Sequence, residues 1–161
     1  MDRAANIDAL TKVRNKRAYD LDVLRLDAGT KPYGIVMVDL NGLKGINDTY
    51  GHEKGDVYIN TVCQTVCRTF KHSPVYRVGG DEFVVILEND DYENRDALVE
   101  QITDIFRKTP DDTSLEPWER GWAAVGCAIY EPGKDENAES VLKRADASMY
   151  ETKKAMKAER K

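Results

Sequence analysis

Tyr33-Gly34-Ile35-Val36-Met37-Val38 is a nearly continuous apolar run that stops at an acid, Asp39. It lacks the alternation of a half-exposed strand, so it predicts a strand covered on both faces, with helices above and below a sheet. The rest of the chain supplies them. Residues 15 to 28 read as a helix, with Leu21, Leu24 and Leu26 among its apolar positions and Gly29 as its stop. Ile59, Val62, Cys63, Val66, Cys67 and Phe70 keep helical spacing from near Glu53. Val75 to Val78 and Phe83 to Leu87 flank Gly79-Gly80-Asp81-Glu82 as the arms of a hairpin. Leu98, Ile102, Ile105 and Phe106 mark another helix, and Pro110 to Pro117 a surface loop. Trp122 to Tyr130 follows as a strand, and Val141, Leu142, Ala145 and Met149 define a last helix. The expected class is α/β (α+β), a mixed central sheet of about five strands flanked by helices. At 161 residues the chain fits one domain, 1–161.

The charge balance narrows the ligands. A net charge of −5 argues against nucleic acid as a partner, since nonspecific backbone binding needs a basic excess. The charge is unevenly spread. From Ala138 onward seven basic side chains face four acidic ones, a net of +3, which leaves −8 on the rest. No apolar run is long enough to span a bilayer, and the first residues lack the apolar core of a signal peptide. Cys63, Cys67 and Cys127 have no metal or redox spacing, so a reducing, cytoplasmic setting is expected for the domain, whether or not a longer parent is membrane-anchored. Cys63 and Cys67 are expected to pack as small apolar groups, and Trp118 and Trp122 likewise to pack.

Three acids stand where chemistry is plausible. Asp39 ends the most buried strand, where ligands bind in open α/β sheets. Asp81 and Glu82 sit in a glycine-led chain reversal that a ligand can approach closely. Together they offer Mg²⁺ hard oxygen ligands, with phosphates to complete its shell. Taken singly, each also fits a helix cap or a solvated turn. After the strand, Asn41-Gly42-Leu43-Lys44-Gly45-Ile46-Asn47-Asp48 is a glycine-rich stretch whose backbone N–H groups can converge on an anion, although it is not a P-loop. Asn47 and Asp56 suit the donors and acceptor of a guanine edge; read blandly, they belong to a turn and a helix surface. Lys153 and Lys157, four apart on one helix face, suit a triphosphate or simply a basic helix end.

The ordered set resembles the GGDEF domains, the diguanylate cyclase family. The resemblance covers Asp8 to about Lys157. It runs through Asp8-Ala9-Leu10-Thr11 with Asn15-Lys16-Arg17, Asp39-Leu40-Asn41-Gly42-Leu43-Lys44, Ile46-Asn47-Asp48-Thr49-Tyr50-Gly51-His52 and Gly55-Asp56. Tyr76-Arg77 precedes an intact Gly79-Gly80-Asp81-Glu82-Phe83, and Arg144-Ala145-Asp146, Met149-Tyr150 and Lys153 close it. It implies a palm-like fold shared with nucleotidyl cyclases and polymerases, and condensation of two GTP into cyclic di-GMP and two pyrophosphates by a homodimer of facing domains. It further implies Mg²⁺ (Mn²⁺ as a substitute) on Asp39, the Leu40 carbonyl, Asp81 and Glu82, with Glu82 assisting deprotonation of the attacking hydroxyl. Asn47 and Asp56 would read guanine. The Gly42 and Leu43 amides, Lys153 and Lys157 would hold the terminal phosphates. An upstream sensor domain is expected in the full protein, and a catalytically silent domain that binds GTP or a protein partner is the alternative.

Several positions depart from the family pattern. Asn41 replaces a common second Asp, Lys12 and Met156 replace frequent glycines, and Lys157 replaces an arginine, keeping charge but losing bidentate geometry. The product-inhibition motif R-x-x-D is absent: its place reads Phe70-Lys71-His72-Ser73.

Overall fold

The computed structural model describes residues 3–160. Arg14–Asn15 (β1) and Gly34–Asn41 (β2) come first among the strands, then Val75–Gly79 (β3), Glu82–Leu87 (β4) and Trp122–Ile129 (β5). The helices are Lys16–Ala28 (α1), Leu43–Tyr50 (α2), His52–Thr69 (α3), Asn89–Glu93 (α4), Arg95–Lys108 (α5) and Ala138–Glu159 (α6). One five-stranded sheet has the order β1-β3-β4-β2-β5, with β1 parallel to β3 and every other pairing antiparallel. The apolar run is therefore central. Val36 and Val38 of β2 and Phe83 to Leu87 of β4 are fully buried, because helices cover both faces.

The α1 N-terminus is set by Asn15, whose side chain accepts from the Ala18 amide at 3.0 Å. Its buried positions are Ala18, Tyr19 and Leu26, whereas Leu21 and Leu24 are 44% and 65% exposed. Those two leucines are not core residues: they lie off the stripe defined by Tyr19 and Leu26, seven residues apart. Gly29 ends the helix by donating to the Leu26 carbonyl from extended, not left-handed, backbone. The glycine-rich stretch after β2, expected as an open loop, is the two-turn helix α2. Left-handed Gly42 (φ +84°) starts it and Gly51 (φ +92°) separates it from α3. Leu43 and Ile46 lay its apolar side on the core. Two short 3₁₀ turns, Thr109–Asp111 and Pro117–Glu119, bracket the loop from Pro110 to Pro117, each with a proline at its start or second position.

Helix α6 is fixed at both ends of its contact with the sheet. Before it, buried Asp135 pairs with Arg144 and accepts from the Ser140 hydroxyl at 2.8 Å and the Glu131 amide at 2.9 Å. Asp27 at the end of α1 caps the Ala138 amide at 2.8 Å. Farther along, Gly126 of β5 permits a backbone approach no other residue allows. A Cβ there would lie 2.1 Å from the Met149 nitrogen and 2.4 Å from the Ala145 carbonyl oxygen. Gly126→Ala is expected to push α6 off the sheet and cost about 3 kcal/mol or more, read as a lower urea midpoint with an unchanged slope.

Candidate functional site

The β2–β4 register carries Asp39 to a position directly opposite Glu82 at the same sheet end. The Leu40 amide donates to the Asp81 carbonyl at 2.9 Å, which seats the hairpin turn beside the end of β2. A bulge between Arg77 and Gly79 lets the turn form, and Gly79 leaves room for the Glu82 carboxylate, 2.7 Å from where a Cβ would stand. Asp81 is exposed on the turn; Asp39 and Glu82 are half-buried.

Two acids opposed on neighbouring strands repel each other. Burial pushes the Glu82 carboxyl above its ordinary range, and the charges of Asp39, Asp81 and Asp146 push the same way, while Lys153 opposes them. Lys153 reaches from α6 to place Nζ 2.9 Å from Asp39 Oδ2. The lysine expected at a phosphate thus neutralises an acid expected at a metal. Lys157, one turn farther, is exposed and has no carboxylate within 4.0 Å among the described residues.

No three acidic, histidine or cysteine side chains form a preassembled metal cluster among the described residues. The donors are the facing Asp39 and Glu82 carboxylates, Asp81 on the turn and main-chain oxygen at Leu40. Such a set fits Mg²⁺, which is held through one or two carboxylates and completed by substrate phosphates and water.

After β2, α2, its N-cap and α3 carry the other residues singled out from the sequence, Gly42, Leu43, Asn47 and Asp56. The first amides of α2, from Leu43, have no intrahelical acceptors and point out of its N-terminus beside Gly42. Tyr58 of α3 donates its hydroxyl to the Asn41 carbonyl at 2.6 Å, and a Cβ on Gly42 would stand 2.9 Å from that hydroxyl. Half-buried Asn47 packs against Gly55, where a Cβ would lie 1.7 Å from Asn47 Oδ1. Asp56 is next in the chain and exposed. Asn47 thus lies against the start of α3, at the residue before Asp56. Asn41 is buried with Nδ2 unpartnered.

One group of residues has a role that spacing alone did not show. Asp8 accepts from the Thr11 amide at 2.9 Å and its hydroxyl at 2.6 Å, and it faces Arg77 at 3.3 Å. Arg77 in turn donates to the Gly80 carbonyl at 2.8 Å. The opening turn thus holds the apex of the hairpin from behind. The only sequence signal was that these residues fall inside the ordered motifs. Tyr58 and Asp146 were likewise not assigned roles; each is recognisable only once α3 and α6 are docked. At the place of the missing R-x-x-D, Phe70 is in the core, and the Ser73 hydroxyl and His72 amide bind buried Asp91 at 2.5 and 3.1 Å.

The family model described as "Diguanylate cyclase, GGDEF domain" matches residues 5–159. The chain is 30% identical over 153 residues to the "Probable diguanylate cyclase DgcT" of Escherichia coli, covering 92% of this chain and 34% of that protein. It is 31% identical over 157 residues to a "Diguanylate cyclase" of Vibrio cholerae, covering 93% of this chain and 47% of that protein. It therefore spans between a third and a half of these curated relatives. The crystal structure of the coiled coil and GGDEF domain of DgcB from Caulobacter crescentus, in complex with c-di-GMP, superposes with a TM-score of 0.79 at 28% identity, over 95% of this chain and 83% of that one. The chain belongs to the GGDEF, diguanylate cyclase family, and it has that family's cyclase fold.

Two outcomes follow from the electrostatics and the clamp. A carboxyl whose folded-state proton affinity is raised penalises folding once it ionises, and the penalty grows as pH rises through its unfolded and then its folded pKa. Glu82→Gln is thus expected to raise Tm at pH 7, with the gain shrinking toward pH 4. Arg77→Met is expected to cost about 2–3 kcal/mol in chemical denaturation by orphaning Asp8, and Arg77→Lys to restore only part, because one ammonium does not reproduce the guanidinium fork.

Proposed function

We propose that this domain condenses two molecules of GTP into cyclic di-GMP and two pyrophosphates, each of two facing copies holding one GTP. The observation that carries the reading is the opposed Asp39–Glu82 pair at the sheet end, with a lysine on one side and a helix N-terminus on the other. That arrangement suits a metal-bound triphosphate better than any neutral ligand.

Asp39, the Leu40 carbonyl, Asp81 and Glu82 would hold Mg²⁺, with Mn²⁺ acceptable to the same oxygens. When bound, the cation neutralises charge developing on the α-phosphate and aligns it for displacement. The amides at Gly42 and Leu43 meet the terminal phosphates from the helix N-terminus. With a cation on Asp39, Lys153 and Lys157 would be free to bind those phosphates from α6. Asp56 accepts from the guanine N1–H and N2–H₂ donors, and Asn47 serves the acceptor on the same base. Adenine offers one exocyclic donor beside an acceptor nitrogen, which would oppose the Asp56 carboxylate.

Glu82, half-buried at the sheet end beside Asp39, is the carboxylate placed to assist deprotonation of the attacking hydroxyl. The proton it takes is that of the 3′-hydroxyl of the GTP on the facing domain. One chain offers one such site, so turnover requires the homodimer and positions two substrates at once. The remaining length of the curated relatives is where a sensor domain that controls the pairing would lie. Feedback by product through an R-x-x-D site is not part of this reading, since Phe70 and Ser73 occupy its two positions.

The test is product analysis with the chain fused to a dimeric coiled coil and supplied with GTP and Mg²⁺. Cyclic di-GMP is expected, with a loss of about a hundredfold or more in Asp81→Ala, and little cyclic GMP–AMP from mixed GTP and ATP. GTP binding by calorimetry with no turnover in the forced dimer would instead make the domain a silent binding module.

A further inference from the structure

At the sheet end opposite the acids, the α1–β2 connection, α4 and the β5–α6 connection enclose a cavity of about 230 Å³. From Gly34, beside it, to Asp39 the extended chain covers about 17 Å, so the cavity is separate from the nucleotide site. Tyr33, Tyr92 and Tyr130 give its wall flat aromatic surface, and Leu26, Pro32 and Pro132 add to the apolar lining. The Tyr33 and Tyr130 rings are stacked with centroids 5.4 Å apart. The Arg95 guanidinium stands over the Tyr92 ring at 4.5 Å, so one of the three rings already meets a cation.

Tyr33 is the most buried residue of this wall, 3% exposed, and its hydroxyl has no hydrogen-bond partner among the described residues. A buried hydroxyl left unpaired costs stability and is rare. Its surroundings are negative. Burial pushes the hydroxyl well above its ordinary range, and the charges of Asp27 and Asp135 push the same way. Asp135 is answered by Arg144. Asp27 is not: one of its oxygens caps the Ala138 amide, and no cation lies within 4.0 Å of it among the described residues. Glu136, the other acid of the wall, also lacks a cation within 4.0 Å among the described residues. Lys31, the one base there, is exposed and has no carboxylate within 4.0 Å among the described residues.

We propose that this cavity binds a small protonated monoamine with a flat apolar body, of the arylalkylamine class. The ammonium group would donate to the Tyr33 hydroxyl oxygen and to Asp27, with Glu136 adding attraction, which gives the orphaned hydroxyl its partner. The apolar body would lie against Tyr92 and Tyr130. A neutral ligand of the same shape leaves both carboxylates unanswered, and an anion is repelled by them. Lys31 disfavours a second positive charge, which selects a monoamine over a diamine.

The test titrates the native chain with benzylamine, with its neutral analogue benzyl alcohol and with the diamine p-xylylenediamine, followed by amide chemical shifts. Benzylamine is expected to move amides within 26–33, 92 and 130–136, and to bind about tenfold more tightly than the alcohol. Shifts centred on Asp39 and Glu82 would instead make the amine a counterion of the acidic surface and overturn the proposal, as would equal binding of the alcohol. The diamine is expected to bind several-fold more weakly than benzylamine and to recover in Lys31→Gln; no difference between the two amines would also overturn it. Tyr33→Phe is expected to lose about tenfold in benzylamine affinity without lowering the Tm of the free protein, since the hydroxyl it removes has no partner there. An unchanged affinity, or a lowered Tm in the absence of amine, would overturn the proposal.

Discussion

Two carboxylates held opposite each other at the end of a buried strand pair set the terms for everything around them. The register that places Asp39 across from Glu82 is not adjustable: a shift of one residue would turn the Val36 and Val38 side of β2 against the opposite helix layer, which is packed around other side chains. Because both strands are covered on both faces, hydrophobic burial fixes the register and the acids accept the consequence. Their repulsion is then met by charge brought from elsewhere. Lys153 supplies it from α6, and α6 comes near enough because Gly126 has no side chain. A polar site is thus maintained by a contact between two backbones several residues away.

The same economy of parts appears in the hairpin. Its glycines make the turn permissive, and permissive turns wander. Arg77 restrains the apex through the Gly80 carbonyl, and Asp8 with Thr11 restrains Arg77. A segment near the start of the chain therefore steadies a turn some seventy residues later, through hydrogen bonds to charged groups that sit largely out of solvent.

The sequence made the strands legible because β2 and β4 are apolar without alternation, and it made α3, α5 and α6 legible because their apolar residues keep helical spacing. It did not separate exposed Leu21 and Leu24 from buried Leu26, since apolar residues on a helix look alike until the docked stripe is known. It concealed α2, whose glycines read as loop. Gly42 and Gly51 lie at its ends, where left-handed backbone separates helices, and Gly45 alone is within it. The two-residue β1 is too short to leave any pattern. Among the site residues, Asp39, Asp81, Glu82 and Lys153 were visible from types and positions, and the structure brings those together. The Lys153–Asp39 pairing was not visible, because a side-chain reach across 114 positions depends on how α6 is seated. Arg77 and Tyr58 escaped assignment for the same reason.

Helix α2 has a consequence of its own. Its N-terminal amides lie at Leu43 and its amide side chain at Asn47, joined by a single rigid turn and clamped to α3 through Gly55. At a rise of about 1.5 Å per residue, those two features are held about 6 Å apart along the axis. The helix is therefore a measuring block. In the proposed complex it would gauge the separation between the charged end of the ligand and its flat end, and a molecule of another length would register with one end only.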